Sequence, residues 1–224
     1  MDSSRSSAIP SGVVSSASGE GLSGDVHPFT QALGSPESLA SLAALADLVQ
    51  TPRPETPRAL ESFLIRYSER LLAAVELPAI RDAFLHAQRG EVRELLRLDR
   101  RLEAIFGSSA FADASRHLGR TQLRRLRPLR SRPLQRYLEA VDSGRAHGWH
   151  VVVYGILLAL FSLPLRQGLA HFALRSQEGL LESSLLGLSV PAADRARLLE
   201  SCAHRVGSTV QEALRPVAWS PALA

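Results

Sequence analysis

Apolar side chains recur every three to four residues along most of this chain, and nowhere does a sustained two-residue alternation appear. A first stripe runs through Leu39, Leu42, Leu45, Leu48 and Val49, behind the helix-start signal Ser35-Pro36-Glu37. The Thr51-Pro-Arg-Pro-Glu-Thr-Pro57 stretch interrupts it as a short stiff connector, and Thr56 with Pro57 predicts the next helix start. That helix places Leu60, Phe63, Leu64, Tyr67, Leu71, Leu72 and Val75 on one face. Pro78 predicts a further helix that stops at Gly90. Beyond it, Val92, Leu95, Leu96, Leu102, Ile105 and Phe106 make another stripe that ends at Gly107.

A helix is expected from Ala110 to Leu126, closed by Pro128, with Phe111, Ala114, Leu118 and Leu126 inward and Arg116, Arg120, Arg124 and Arg127 along another side. A short helix follows around Leu134 to Val141, then a loop at Ser143-Gly144. From His150 the pattern turns almost wholly apolar as far as Leu165, which predicts a helix buried on all sides. After Pro164 another helix runs to about Leu188. Ser189 and Pro191 open the last, whose inner face is Leu198, Leu199, Cys202, Val206, Val210 and Ala213. The expected fold is all-α: a single compact bundle of about nine helices over residues 37–215, between a flexible N-terminal segment (1–36) and a flexible tail (216–224). No repeat of fixed period emerges, which argues against a solenoid.

Composition changes this picture in only a few places. The Val151–Leu165 run falls short of the roughly 20 apolar residues a spanning helix needs. The first residues show no signal-peptide pattern, and the one cysteine, Cys202, suits a reducing compartment, so a cytoplasmic protein is expected. Every one of the 26 basic residues is arginine. Such a bias reads either as selection for bidentate anion binding or as coding bias on ordinary surfaces. Eight of these arginines fall between Arg116 and Arg136 with no acidic residue among them, which suits a nucleic acid, an acidic protein partner or a solvated face. No aromatic residue interleaves them between Phe111 and Tyr137, which tells against nucleic-acid binding.

Catalytic signatures are weak. There is no phosphate-binding loop, no paired-cysteine spacing and no nucleophile elbow. His147 and His150 would share a face if helical and are the one candidate metal pair, though no third ligand follows in frame. Cys202 and His204 form a C-x-H pair, but Cys202 lies on the apolar stripe and reads as core, and Glu178 and Glu182 read as solvated side chains. No cofactor and no catalytic residue is assigned.

The run Ala114-Ser115-Arg116-His117-Leu118-Gly119-Arg120-Thr121-Gln122-Leu123-Arg124-Arg125-Leu126 resembles the "ASR-x-x-G-R-x-L-L-R-L" helix of the urease accessory protein UreF family. His150-Val151-Val152-Val153-Tyr154-Gly155 is similar to that family's "H-x-V-V-F-G", and Leu163-Pro164-Leu165 to its "G-L-P-L". Near the start, Pro10-x-Gly12 followed by Gly19 keeps the spacing of its N-terminal motif. The chain departs from the pattern at Glu20 and Leu186, where the family carries Leu and a basic residue. The resemblance implies a non-catalytic, all-helical chaperone that dimerises, binds the accessory protein UreD/UreH and the GTPase UreG, and assists nickel insertion into apo-urease, without nucleic acid or membrane. It also implies interaction or structural roles for Pro10, Gly12, Gly19, Ser115, Arg116, Gly119, Arg120, His150, Tyr154 and Gly155.

Overall fold

A computed structural model describes residues 45–46, 48–107, 109–185 and 190–215. The expected segments 1–36 and 216–224, most of the first expected helix, Pro10, Gly12, Gly19 and Leu186 lie outside the described residues. All the regular structure among the described residues is helical: α1 (Pro57–Tyr67), a π-helical stretch (Ser68–Glu76), α2 (Leu77–Arg89), α3 (Val92–Phe106), α4 (Ala110–Arg125), α5 (Arg132–Asp142), α6 (His150–Leu160), α7 (Leu165–Leu185) and α8 (Ala192–Ala213).

Local chemistry sets most of the boundaries. The Thr56 hydroxyl accepts from the Ala59 amide at 3.2 Å and Pro57 occupies the first turn, so α1 begins with an orphan donor satisfied. Ser109 does the same for α4 through the Ala112 amide at 3.1 Å. Gly90 closes α2 in the left-handed region at φ 70°, where its amide and that of Glu91 return to Ala87 and His86.

The count differs from the expected nine. Tyr67, Ser68, Glu76 and Leu77 all keep right-handed helical dihedrals, so α1, the π stretch and α2 form one continuous rod, and the described residues make seven rods. Pro78 does not start a separate helix. In a regular α-helix its ring would strike the carbonyl four residues back, but the wider turns of the π stretch just before it shift that carbonyl aside.

The α6 helix is the centre of the molecule, with every side chain from Val151 to Leu158 buried. Its most extensive partner is α2, and α4 packs on another side. Gly155 makes the α2 contact possible: a Cβ there would lie 2.5 Å from the Ile80 carbonyl and 2.7 Å from Ala83 Cβ. The α7 and α8 helices pair, and α8 also lies along the π stretch. Its C-terminus is tied down by a buried arginine. Arg81 Nη1 donates to the carbonyls of Ala213 and Arg215, both at 2.6 Å, satisfying acceptors that a helix end leaves open. Leu198, Cys202, Val206, Val210 and Ala213 line the inner face of α8 as the spacing predicts, with Leu199 at the margin.

Candidate functional site

The densest polar organisation lies where α3, α4 and α6 meet. Asp99 sits on the inner stripe of α3 with Leu95, Leu102 and Phe106, and is fully buried. One carboxylate oxygen accepts from the His147 amide at 2.7 Å and the His147 ring Nδ1 at 2.8 Å. The other accepts from the Tyr137 hydroxyl at 2.6 Å and the Gly148 amide at 3.1 Å. The Asp99 main-chain carbonyl takes the Trp149 indole N–H at 3.0 Å. A buried charge is tolerated when its hydrogen-bonding capacity is filled, and here that requirement fixes the 147–149 loop onto α3. Burial, and then the Asp99 charge, push the Tyr137 hydroxyl well above its ordinary range.

The α4 helix approaches that loop through small residues. A Cβ on Gly119 would collide with the Gly148 carbonyl and lie 2.8 Å from the His150 amide and 2.9 Å from the Trp149 carbonyl carbon. One turn earlier, the Ser115 hydroxyl accepts from the His150 amide at 3.4 Å. Arg120 Nε donates to the His147 carbonyl at 2.8 Å. Arg116 forms ion pairs with Glu103 at 2.9 Å and Asp113 at 2.7 Å, and its guanidinium lies 5.4 Å from the centre of the Trp149 ring. Glu103 in turn lies 3.6 Å from His147 Nε2. Ser115, Arg116, Gly119, Arg120 and His150 therefore act on one seam, and what they grip is the loop before α6.

The inner face of α4 differs in part from the one the spacing predicts, since Phe111 and Leu126 are buried as expected but Ala114 and Leu118 are not. Phe111, Ala112, Ser115, Gly119, Gln122 and Leu123 are buried, whereas Ala114 and Leu118 are only half-buried. Small and polar residues face inward because the backbone of the 147–150 segment, and not a layer of side chains, is what α4 packs against.

Within α6, His150 is fully buried. Its ring lies 5.8 Å from that of Phe172 and 6.1 Å from that of Tyr154, and burial pushes it down to about 3, so it is neutral. The Tyr154 hydroxyl donates to the Gly168 carbonyl at 3.1 Å, which joins α6 to α7. His147 and His150 do not share a helix face. Gly148 adopts φ 78°, so His147 lies in the loop on Asp99 while His150 begins the helix and points into the core. Among the described residues no group of three or more His, Cys, Asp or Glu side chains is placed to hold a metal ion.

The remaining candidates separate. Cys202 is buried and its thiol is pushed up to about 11 by burial. Glu178 pairs with Arg175 at 2.8 Å and Glu182 with Arg195 at 3.3 Å, so the two carboxylates answer to different arginines. Asp99, Arg81 and Glu76 went unrecognised in the sequence, although each interrupts an apolar stripe, and that interruption was the available signal. Glu76 is buried on the π stretch and accepts from the Tyr67 hydroxyl at 2.8 Å; burial raises its carboxyl to about 7.

The fold and this seam define an all-helical protein in which the most ordered polar residues hold backbone to backbone. The UreF family model matches residues 55–185, which cover α1 through α7. The chain belongs to the UreF family of urease accessory proteins. Comparison with curated proteins finds no match. Among the described residues no helix is long and apolar enough to cross a membrane.

Proposed function

We propose that this protein is a non-catalytic, cytoplasmic urease maturation chaperone. It binds a UreD/UreH-type accessory protein and a UreG-type GTPase, works as a homodimer within that complex, and assists nickel insertion into apo-urease. The observation that carries the reading is family membership over residues 55–185, a span that includes both the Ser115–Arg120 motif and the His150–Gly155 motif. Nickel is cargo in this scheme, and partner recognition is the mechanism. The residues Ser115, Arg116, Gly119, Arg120, His150, Tyr154 and Gly155 serve by holding α4, α6 and α7 in register, so that the outer surface meets its partners as a rigid body. Pro10, Gly12 and Gly19 belong to the 1–36 segment, which together with residues 216–224 supplies contacts beyond the helical domain.

The fate of the arginines supports a protein partner over nucleic acid. Arg116 and Arg120 hold internal partners, and Arg127 pairs with Asp142 at 2.8 Å, so this part of the basic segment is already engaged. The test is co-purification with UreD/UreH and UreG, followed by urease activation in a strain that lacks its own UreF. Capture of both partners and restored urease activity are expected; failure of both would overturn the reading.

A further inference from the structure

Two open hollows meet at the Gly90 turn and the start of α5. The first, of about 950 Å³, lies between the start of α3 and α5 and is lined by charge. Arg93, Arg132 and Arg145 border it, together with Glu91, Glu94 and Glu139. Each glutamate already has a basic neighbour: Glu91 lies 2.7 Å from His86, Glu94 2.6 Å from Arg97, and Glu139 3.7 Å from Arg136. Arg93, Arg132 and Arg145 have no carboxylate within salt-bridge distance among the described residues, and Arg145 donates only to the Ser143 hydroxyl at 2.9 Å. The hollow thus carries four arginines against three glutamates, and three of its guanidinium groups have no carboxylate partner among the described residues.

The second hollow, of about 750 Å³, shares Gly90 with the first. Its lining is mixed, with Pro133, Ala159 and Leu160 on an apolar side and Gln88, Arg89 and Ser131 on a polar one. Gly90 borders both hollows, and a Cβ there would meet nothing within 4 Å.

We propose that this two-part groove is a docking site for an acidic segment of a partner protein, whose carboxylates engage Arg93, Arg132 and Arg145 and whose neighbouring apolar side chains seat against Leu160 and Ala159. Arginine suits carboxylates because its fork donates two parallel hydrogen bonds. A nucleic acid fits less well, because neither hollow presents an aromatic ring for base stacking. A segment with both carboxylates and aliphatic residues can meet the unpaired guanidinium groups of the first hollow and the apolar side of the second.

The experiment uses the full-length chain and a fluorescein-labelled peptide of four glutamates followed by Gly-Leu-Leu-Pro-Leu, with anisotropy read at about 0.15 M salt, where exposed charges are screened beyond roughly 8 Å. Saturable binding is expected. The pair Arg93→Glu with Arg132→Glu should weaken it by about tenfold or more, equivalent to about 1.4 kcal/mol. The pair Arg195→Glu with Arg197→Glu changes net charge equally and should weaken it by less than about twofold. Leu160→Asn should weaken it several-fold, and a peptide with glycine in place of the leucines should bind correspondingly less well. Circular-dichroism melts confirm that each variant is folded. The proposal is overturned by absence of saturable binding, by equal loss from both arginine pairs, or by undiminished binding of the glycine peptide. It is likewise overturned if a duplex DNA binds more tightly than the peptide and loses that binding in the Arg93→Glu, Arg132→Glu variant.

Discussion

Gly119 on α4 lies so close to Gly148 that a methyl group added to it would run into the Gly148 carbonyl oxygen. The surrounding obstacles, the His150 amide and the Trp149 carbonyl carbon, are backbone as well. A flexible side chain can swing away from an intruding atom, whereas a backbone held by Asp99 and Ser115 cannot do so cheaply. Gly119→Ala should therefore destabilise the protein by about 1–3 kcal/mol despite alanine's better helix propensity. Urea unfolding followed by circular dichroism measures it; a midpoint equal to or above the parent's would show that the seam has slack.

The Asp99 carboxylate accepts from two main-chain amides, a hydroxyl and an imidazole. Asp99→Ala leaves those donors buried without their acceptor, and a loss of about 3–5 kcal/mol is expected. Asp99→Asn keeps the shape but turns one acceptor into a donor facing donors, so it should recover only part of that loss. Tyr137→Phe removes a single bond and should cost about 1 kcal/mol. The ranking Ala, then Asn, then Tyr137→Phe is read from the same unfolding curves.

Glu76 and His150 pull the pH dependence of stability in opposite directions. The folded-state carboxyl of Glu76, near 7, lies above its unfolded value. Its contribution is therefore complete below about 4.5 and is lost as pH rises through 7. The folded-state ring of His150, near 3, lies below its unfolded value. Its contribution is complete above about 6.5 and is lost as pH falls toward 3. Between about pH 4.5 and 6.5 the two slopes offset. Stability of Glu76→Gln, taken relative to the parent, should fall on acidification across that window by up to about 1.4 kcal/mol per pH unit. His150→Phe should show the opposite sign. Parallel difference curves for the two variants would refute the assignment.

Arg81 connects α2 to the last turn of α8 through two carbonyls. Arg81→Met preserves much of the packing while removing both bonds and their favourable charge at a helix C-terminus. A loss of roughly 2 kcal/mol is expected, with faster amide exchange concentrated in residues 206–215. Exchange that rises uniformly across the protein would instead indicate general destabilisation.

Much of the helical layout was legible in the sequence because it rests on short-range rules. Thr56 and Ser109 as caps, Gly90 as a left-handed stop and the stripe from Leu60 to Val75 each depend on residues within two turns of one another. Pro78 misled for the complementary reason, since a proline reads as a break unless the preceding turns are known to be π-helical. Half of the inner face of α4 was missed because hydrophobic spacing ranks Ala114 and Leu118 above Ser115 and Gly119, although the small residues are the ones that admit a neighbouring backbone.

By itself, then, the chain determined its all-helical class, most of its helix boundaries and, through the Ser115–Arg120 and His150–Gly155 motifs, its family. Only the tertiary structure decided what those motif residues do. It paired the arginines at 116 and 120 with Glu103 and the His147 carbonyl, split His147 from His150, and left Arg93, Arg132 and Arg145 bordering an open groove. The physical reason is distance along the chain. Asp99 is 48 residues from His147, and Arg120 is 27 from the same residue, so no local pattern records that they meet. A side chain's charge is written in the sequence, but whether that charge is already satisfied depends on which distant backbone folds against it.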